Sequence, residues 1–299
     1  MHHLYGRRGP VVDAHHHLWA RSRHPQRWID PVTMAAIDAD FLPADLEPLL
    51  RDAGVEQTIV VQSVPSEQET VDLLATAARE PLIGGVVGWV DLAAPDIAAR
   101  LDRLRAADGG DQLVGIRHLV QDEPDPEFLD RFDIRRGIAA VGRAGLVFDL
   151  LVREHQLDAA VRLADDIQET AFVLDHLGKP ALATRDIGAW ARGLSRLAAL
   201  PNVSSKLSGL VTEADWRTWA IGDLAPAVEY ALDVFGPERT MFGSDWPVSL
   251  LATSYPSWIE TVSELISDLD EDGRAAVWRG TAREVYGLKA TPPIDNQED

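Results

Sequence analysis

Short runs of apolar residues alternate along the chain with longer segments in which apolar residues recur every three or four positions. The short runs, such as 57–63 and 171–176, are rich in β-branched and aromatic side chains and end in polar ones, which is typical of strands buried on both faces. In the longer segments, such as 66–80, the apolar positions share one face of a helix. The pattern therefore predicts alternating strands and helices.

Eight strands are predicted, each followed by a helix, and strict alternation favours parallel pairing through right-handed crossovers. The predicted strands are 11–19, 57–63, 83–92, 113–118, 145–152, 171–176, 202–209 and 240–247. The first predicted helix begins at residue 43. The next six span 66–80, 94–107, 126–143, 157–168, 187–200 and 216–235, and further helices are predicted up to residue 286. The count of eight favours an α/β fold that is a single (β/α)8 TIM barrel over an open doubly wound sheet.

The chain of 299 residues fits one barrel domain, because such barrels often need about 250 residues. The barrel is assigned to residues 11–289, after an amino-terminal tail of residues 1–10. Residues 290–299 are rich in proline and acidic residues and are predicted to form a disordered tail. No low-complexity linker divides the sequence, so a single domain is expected.

An irregular segment, 20–41, follows the first strand and contains Arg21, Arg23 and Trp28. Structureless segments of this length usually have a function in compact domains. In a barrel, this one would lie over the mouth as part of a lid. The alternative is a surface loop with Trp28 packed against the domain.

Composition excludes several classes of function. The 28 basic and 48 acidic residues give a net charge of −20, which argues against nucleic acid or an anionic membrane as partner. The absence of cysteine excludes disulfides, thiolate metal sites and a cysteine nucleophile. No secretory apolar region follows the amino terminus, and no apolar run approaches about 20 residues. We expect a soluble cytoplasmic protein that acts on a small molecule, with a homo-oligomer left open.

The first strand ends in a cluster of imidazoles, in the sequence VVDAHHHLW (11–19). Side chains alternate across a strand, so His15 and His17 are predicted to share one face, with His16 on the other. If this strand is the first of a parallel barrel, the pair lies at its carboxyl end, where barrels place their chemistry.

Charged residues also end most of the other predicted strands, although barrel interiors consist mainly of Val, Ile and Leu. Each one alone has a structural explanation, such as an ion pair with a helix, but together they predict one site. These residues are Arg117 on the fourth strand, Asp149 on the fifth, His176 on the sixth, Lys206 on the seventh and Asp245 on the eighth. Alternation from Arg117 predicts that His118 faces outward. Trp19, Trp89 and Trp246 also sit at strand ends and are candidates to line the pocket.

Two chemistries remain open at this point. His15, His17, His176 and Asp245 form a nitrogen and carboxylate set suited to one divalent ion such as zinc, with an open position for water. Without a metal, Asp245 could take a proton from water while the imidazoles, with Lys206 or Arg117, stabilise an oxyanion. The sequence does not choose between these routes.

Five motifs in chain order resemble the amidohydrolase superfamily, and most closely its amidohydrolase-2 branch of sugar-lactone hydrolases. They are DAHHHLW (13–19), GIRH (115–118), VLDHLGKP (173–180), KLSG (206–209) and FGSDWP (242–247), within a likeness that runs from 11 to 288. The resemblance implies a distorted (β/α)8 barrel in which His15, His17 and His176 are the site histidines. It also implies that Asp245 handles the water proton and that Arg117 and Lys206 contact the substrate.

The sequence departs from one superfamily pattern. Binuclear members place a bridging carboxylated lysine or an acid after the fourth strand, whereas this chain has Arg117 and His118 there. A two-metal site is therefore not expected. The branch includes enzymes with one divalent ion and enzymes with none, so the resemblance favours one ion, zinc, without requiring it.

The expected activity is hydrolysis of a lactone, and in particular of an aldonolactone such as fuconolactone or rhamnonolactone. Asp245 would deprotonate water and later protonate the leaving alkoxide. One alternative is a decarboxylase of the same superfamily, which two convergent arginines would favour; only Arg117 is clearly placed, with Arg21 and Arg23 available from the 20–41 segment. A second alternative is a non-catalytic barrel that binds a sugar acid.

Overall fold

The computed structural model describes residues 9–289, so most of the expected amino-terminal tail and all of the expected tail at 290–299 lie outside the described residues. The strands are β1 Val11–His16, β2 Val55–Val61, β3 Ile83–Gly88, β4 Leu113–His118, β5 Val147–Leu150, β6 Phe172–Leu174, β7 Val203–Leu207 and β8 Thr240–Phe242.

A helix follows each strand, and two more follow the eighth. The helices are α1 Pro43–Ala53, α2 Glu67–Ala77, α3 Ile97–Arg105, α4 Phe132–Arg143, α5 Leu157–Asp166, α6 Gly188–Ala198, α7 Ile221–Phe235, α8 Tyr255–Leu265, α9 Glu271–Ala275 and α10 Thr281–Tyr286. Within residues 9–289, none of them combines the length and the apolar character needed to cross a membrane.

Each strand pairs in parallel with the next, in the order β1 to β8. The first and last strands meet at their carboxyl ends, where the chain after β8 bonds to β1. The amide of His17 donates to the carbonyl of Trp246 over 2.7 Å, and the amide of Asp245 donates to the carbonyl of His15 over 2.8 Å. The predicted parallel barrel of eight strands is confirmed.

A buried carboxylate, that of Asp13 on β1, reinforces this seam. Its Oδ1 accepts hydrogen bonds from the amides of Ser244, at 2.8 Å, and His15, at 3.2 Å. Its Oδ2 accepts one from the hydroxyl of Tyr255 on α8, at 3.0 Å. Burial raises the pKa of Asp13 to about 6 even though these bonds favour the ionised form. Asp13 therefore ties β1 to the loop after β8 and to α8.

The barrel interior is apolar at the amino ends of the strands. α10 packs there, because Ala282 and Tyr286 belong to the same buried cluster as the inward strand residues. A larger cluster lies between the strands and the outer helices. The inward strand residues of the first cluster are Val12, Ala14, Ile59, Val61, Val87, Val147, Val173 and Met241.

Several strands end earlier than predicted. β6 ends at Leu174 instead of 176, β8 at Phe242 instead of 247, and β3 at Gly88 instead of 92. After β6 and β8 the reason is the backbone, because His176 and Asp245 have φ values of 55° and 54°, which a strand cannot contain. The chain leaves the ladder at these points to aim side chains over the mouth.

Two helices begin later than predicted, because short 3₁₀ turns occupy part of the preceding segments. α4 begins at Phe132 instead of 126, after a turn at Phe128–Asp130. α7 begins at Ile221 instead of 216, after a turn at Leu210–Glu213 and an irregular segment. The apolar residues of these turns are buried, but they do not belong to α4 or α7.

The close approach of α4 to the chain after β3 gives a test of the packing. A Cβ atom at Gly137 would lie 2.1 Å from the carbonyl oxygen of Leu92, a backbone atom that cannot rotate away. Gly137→Ala should therefore lower the free energy of unfolding by about 1–3 kcal/mol, measured by chemical denaturation. Gly222→Ala in α7 is the matched control, since nothing lies within 4 Å of its Cβ position, and it should be neutral or slightly stabilising. Equal effects of the two substitutions would contradict this packing.

Candidate active site

Three imidazoles and one carboxylate converge at the carboxyl end of the barrel. His15 Nε2 lies 3.3 Å from His17 Nε2 and 3.7 Å from Asp245 Oδ1. Asp245 Oδ1 lies 3.5 Å from His17 Nε2 and 4.0 Å from His176 Nε2. The four residues that the sequence predicted to share one site are thus brought within a few ångströms of one another.

An irregularity in β1 directs the first imidazole inward. The pairing register of β1 with β2 shifts between Asp13 and His16, so the simple alternation of side chains is interrupted there. His15 points into the barrel, although Ala14 belongs to the inner cluster. His16 points elsewhere, with its Nε2 2.9 Å from Thr58 Oγ1.

Each imidazole is held through its Nδ1 atom, which leaves Nε2 facing the centre. His17 Nδ1 donates to the carbonyl oxygen of Val61 over 2.7 Å. His176 Nδ1 lies 2.8 Å from Ser208 Oγ, and His15 Nδ1 lies 3.3 Å from Asp175 Oδ1. Such contacts fix ring orientation and tautomer, as is usual for histidines that bind a metal or move a proton.

The loop after β7 approaches the site so closely that only glycine fits. A Cβ atom on Gly209 would lie 2.5 Å from His176 Nδ1 and 2.9 Å from Asp245 Oδ2. Gly209 also has a φ of 63°, in the left-handed region that favours glycine. The backbone at Gly209 is therefore in close contact with the carboxylate of Asp245 and the ring of His176.

Asp245 is ionised at neutral pH. Burial acts to raise the pKa of this carboxyl, but the neighbouring rings of His176, His17 and His15 outweigh burial and bring the pKa below its ordinary value. Burial lowers the pKa of His176 to about 4 and also depresses that of His15. The centre therefore combines one carboxylate with two imidazoles, those of His15 and His176, whose pKa values burial lowers.

Beneath the imidazoles lies a network of fully buried charges. Asp175 Oδ2 accepts from Arg117 over 2.9 Å, and Asp175 Oδ1 lies 3.1 Å from Lys206 Nζ. Lys206 also donates to Asp149 over 2.5 Å, and the hydroxyl of Tyr286 on α10 donates to Asp149 over 2.8 Å. This network links α10 at one end of the barrel to His15 at the other.

The buried charged groups of this network shift one another's pKa values. Burial would raise the pKa of Asp175, but Lys206, His15 and Arg117 outweigh burial and hold that pKa well below its ordinary value. Burial raises the pKa of Asp149 to about 6 despite its contact with Lys206. Sequence reasoning missed Asp175. Its position directly after β6, immediately before His176, was the available signal.

A cavity of about 370 Å³ opens above the centre. Its floor includes His17, Arg117, His176 and Asp245. Around its mouth, Lys179 pairs with Glu213 over 2.9 Å. The other lining residues are Trp28, Met34, Ser63, Leu119, Gln121, Asp122, Leu151, Arg153, Thr212, Trp216, Val248 and Leu251.

Several residues that the sequence placed at the pocket lie behind its wall. Lys206 and Asp149 are completely buried below the imidazoles, where they pair with other charges and cannot reach a molecule in the cavity. The structure thus places Lys206, which was predicted to contact the substrate, below the imidazoles and outside the lining of the cavity.

The three candidate tryptophans are also absent from the cavity wall in the described part of the chain. Trp19 donates through Nε1 to the carbonyl of Ala39, and Trp246 packs against Phe41. Trp89 donates to His118, which faces away from the centre as alternation from Arg117 predicted. Trp28 and Trp216, on the segments after β1 and β7, line the cavity instead.

The segment 20–41 contributes directly to this cavity. Backbone bonds between Trp19 and Phe41, both 2.9 Å long, close its two ends into a loop. Trp28 and Met34 from this loop are among the lining residues. The loop thus lies at the mouth, as one of the two sequence interpretations predicted.

The donor set fits one divalent ion. His15, His17 and Asp245 each offer a ligand atom within 4.8 Å of the others, and all three residues are buried. A second overlapping group consists of His15, Asp175 and His176. Imidazole nitrogen with carboxylate oxygen is a ligand combination that zinc accepts. Nε2 of His15 and Nε2 of His17 lie 3.3 Å apart, close enough for both to bind the same cation.

Comparisons with known proteins agree with this site. An L-fucono-1,5-lactonase from Burkholderia multivorans is 41% identical over 290 residues, covering 93% of this chain and 96% of that protein. An L-fucono-1,5-lactonase from Burkholderia ambifaria is 39% identical over 281 residues, covering 93% and 95%. A crystal structure of an amidohydrolase from Burkholderia multivorans with bound zinc matches at a TM-score of 0.87, with 41% identity over 93% of this chain and 99% of that one.

The sequence profile of the amidohydrolase family matches residues 12–288, nearly all of the described chain. This match spans every strand of the barrel and each of the strand-end motifs. As those motifs predicted, the chain belongs to the amidohydrolase family.

Proposed function

We propose that this protein hydrolyses the ester bond of a sugar lactone, with an L-fucono-1,5-lactone type of substrate. The observation that carries the proposal is the carboxylate of Asp245 on the floor of the cavity, with the Nε2 atoms of three imidazoles 3.5 to 4.0 Å from its Oδ1. The lactonases of two Burkholderia species, at 39% and 41% identity over most of their length, support this choice of substrate.

Asp245 acts as the base in the proposed mechanism. Its carboxylate accepts a proton from a water molecule, and that water attacks the ring carbonyl carbon. Collapse of the tetrahedral intermediate breaks the ring ester bond, and Asp245 returns the proton to the departing alkoxide oxygen. The imidazoles of His17 and His176, whose Nε2 atoms lie 3.5 and 4.0 Å from Asp245 Oδ1, orient the water and the carboxylate.

Arg117 is proposed to stabilise the developing oxyanion. It lines the cavity, and its NH1 lies 3.3 Å from His15 Nε2. Among the described residues, its buried Nε has no hydrogen-bond partner, so the guanidinium keeps one unused donor next to the cavity. A preorganised donor in a site sheltered from water contributes more than the same donor in solution. Lys206 and Asp149 are proposed to act indirectly, by holding Asp175 and through it His15.

One divalent ion, zinc, is proposed as cofactor. His15, His17 and Asp245 would hold it, with His176 adjacent, and the zinc in the related Burkholderia structure supports this. When bound, such an ion supplies a positive charge that polarises a carbonyl group and lowers the pKa of water. A cytoplasmic location and a homo-oligomeric state stay predictions.

The decarboxylase alternative has less support. It was expected to need two convergent arginines, with Arg21 or Arg23 joining Arg117. Arg21 pairs with Asp38, and Arg23 pairs with Asp72, so both are engaged outside the cavity.

Asp245→Asn tests the mechanism. It removes the proton acceptor while keeping the size of the side chain, so kcat/KM for L-fucono-1,5-lactone should fall by roughly 100- to 10,000-fold. Acid release, followed with a pH indicator, measures the turnover. Asp52→Asn on the exposed side of α1 is the matched control and should keep wild-type turnover. Unchanged turnover in Asp245→Asn would remove the mechanism, and sugar-acid binding without turnover in either protein would favour the non-catalytic barrel.

Chelation tests the cofactor. Treatment with a chelator should lower turnover by roughly tenfold or more, and added zinc should restore it, because the charge that polarises the carbonyl is lost and regained. Elemental analysis of the purified protein should find about one zinc ion per chain. Full turnover by metal-free protein would instead support the route in which Asp245, the imidazoles and Arg117 act alone.

Gly209→Ala tests the close contact between the loop after β7 and the site. The added methyl group must displace His176 or Asp245, so turnover should fall by roughly 100-fold, the cost of misplacing a catalytic group by about 1 Å. Gly145→Ala is the control, since Gly145 has a φ of 70° with nothing within 4 Å of its Cβ position. Both substitutions strain the backbone, but only the first should reduce turnover. Equal turnover in the two variants would show that the loop does not position the site.

A further inference from the structure

Two tryptophans at the cavity mouth are left unexplained by the proposed mechanism. Trp28, in the segment after β1, is 39% exposed although it lies against the cavity. Trp216 follows β7, is half-buried and donates through Nε1 to the carbonyl of Thr212 over 2.9 Å. Other tryptophans of the described chain, such as Trp190 and Trp258, are fully buried. An aromatic ring left open to a cavity is a candidate ligand contact.

Trp28 is held by a chain of hydrogen bonds that begins inside the protein. Its Nε1 donates to Gln26 Oε1 over 2.8 Å, and Gln26 Nε2 donates to Ser63 Oγ over 2.8 Å. The hydroxyl of Ser63 donates in turn to the carboxylate of Glu69 on α2. Both ends of the Gln26 amide are therefore used, and this residue is only 3% exposed.

The far end of this chain is fixed by several bonds. The amides of Ser63 and Val64 each donate to the Glu69 carboxylate over 3.1 Å. Glu69 is almost completely buried, so its position is not shared with solvent. Trp28 also packs edge to face against Trp19, with ring centroids 5.9 Å apart. The indole is thus held in place before any ligand arrives.

Ion pairs fasten the rest of the segment to the same helix. His24 Nε2 lies 2.8 Å from Asp72 Oδ2, and Arg23 NH2 lies 3.0 Å from the same oxygen. Asp72 belongs to α2, as Glu69 does. The segment that contains Trp28 is therefore tied to α2 by the buried hydrogen bonds to Glu69 and by the ion pairs to Asp72. These contacts favour a cavity wall that is already formed before a ligand binds.

We propose that Trp28 is a binding residue that stacks on the C–H face of the sugar lactone ring, and that Gln26 is its positioning residue. This inference rests on the proposed function and specifies how that cavity recognises its substrate. The face of an aromatic ring carries negative potential and attracts the weakly positive hydrogens of a C–H surface. The polar groups of Arg117 and Asp245 below would then meet the carbonyl and ring oxygens. Gln26 contributes only by fixing the indole.

The test compares Trp28→Leu, Trp28→Phe and Gln26→Leu with L-fucono-1,5-lactone as substrate. In Trp28→Leu, KM should rise roughly threefold to tenfold, which corresponds to the usual strength of an aromatic contact, while kcat stays within about twofold. Trp28→Phe should recover most of the lost affinity, because a ring face is restored. Val32→Ala is the matched control, since Val32 lies in the same segment, is 83% exposed and does not line the cavity.

Gln26 is tested by a double-mutant cycle. If it acts through the indole, Gln26→Leu should raise KM, and the combined Trp28→Leu and Gln26→Leu variant should be no worse than Trp28→Leu alone. A purely structural role would give effects that add and would also lower stability without a selective change in KM. Additive effects would therefore overturn the positioning role.

A binding measurement separates this inference from the proposed function. Calorimetric titration with L-fuconate, the ring-opened acid, should show weaker binding by Trp28→Leu than by the wild-type protein or Trp28→Phe. Lactone turnover with an unchanged KM and unchanged fuconate affinity in Trp28→Leu would overturn the stacking role and leave the lactonase proposal standing. A wild-type protein that opens no lactone but loses fuconate affinity in Trp28→Leu would overturn the lactonase proposal alone. Neither turnover nor binding in the wild-type protein would overturn both.

Discussion

The seam between β1 and β8 is the constraint on which the rest of the molecule depends. Two backbone hydrogen bonds join His17 to Trp246 and Asp245 to His15 at this seam, and Asp13 adds a buried carboxylate. The bonds that close the sheet are thus made by the residues that carry the chemistry. The hydrogen bonds that close the barrel therefore also fix the position of Asp245 relative to His15 and His17.

The interior of the barrel is layered along its axis. Apolar side chains and α10 fill the amino end, a group of paired charges lies above them, and His17 and His176 with Asp245 form part of the floor of the cavity. Burying charges is costly unless they are paired and hydrogen-bonded. Here two carboxylates, Asp149 and Asp175, alternate with the cations Lys206 and Arg117, so that each charge has an opposite neighbour. This arrangement gives His15 a fixed partner that solvent cannot replace.

Much of the fold could be predicted because the relevant signals are local. Alternating short apolar runs and helical periodicity identified all eight strands, and the motifs at the strand ends identified His15, His17, His176 and Asp245. What local pattern could not supply is the direction of a side chain after its strand has ended. The left-handed backbone at His176 and Asp245, and the register shift in β1, depend on contacts made across the barrel. For the same reason the sequence did not predict that Trp28 and Trp216 line the cavity, because a position at a strand end does not show on which side a ring will pack.

The contact between Tyr286 and Asp149 ties the last helix to the polar interior. Of the described elements, β1 is synthesised first and α10 last. Until α10 has been made, Asp149 has Lys206 but lacks Tyr286, and the inner residues of the strands lack the helix that packs against them. A nascent chain that has reached only β8 therefore already contains His15, His17 and His176, but the buried charges beneath them lack the hydrogen bond from Tyr286.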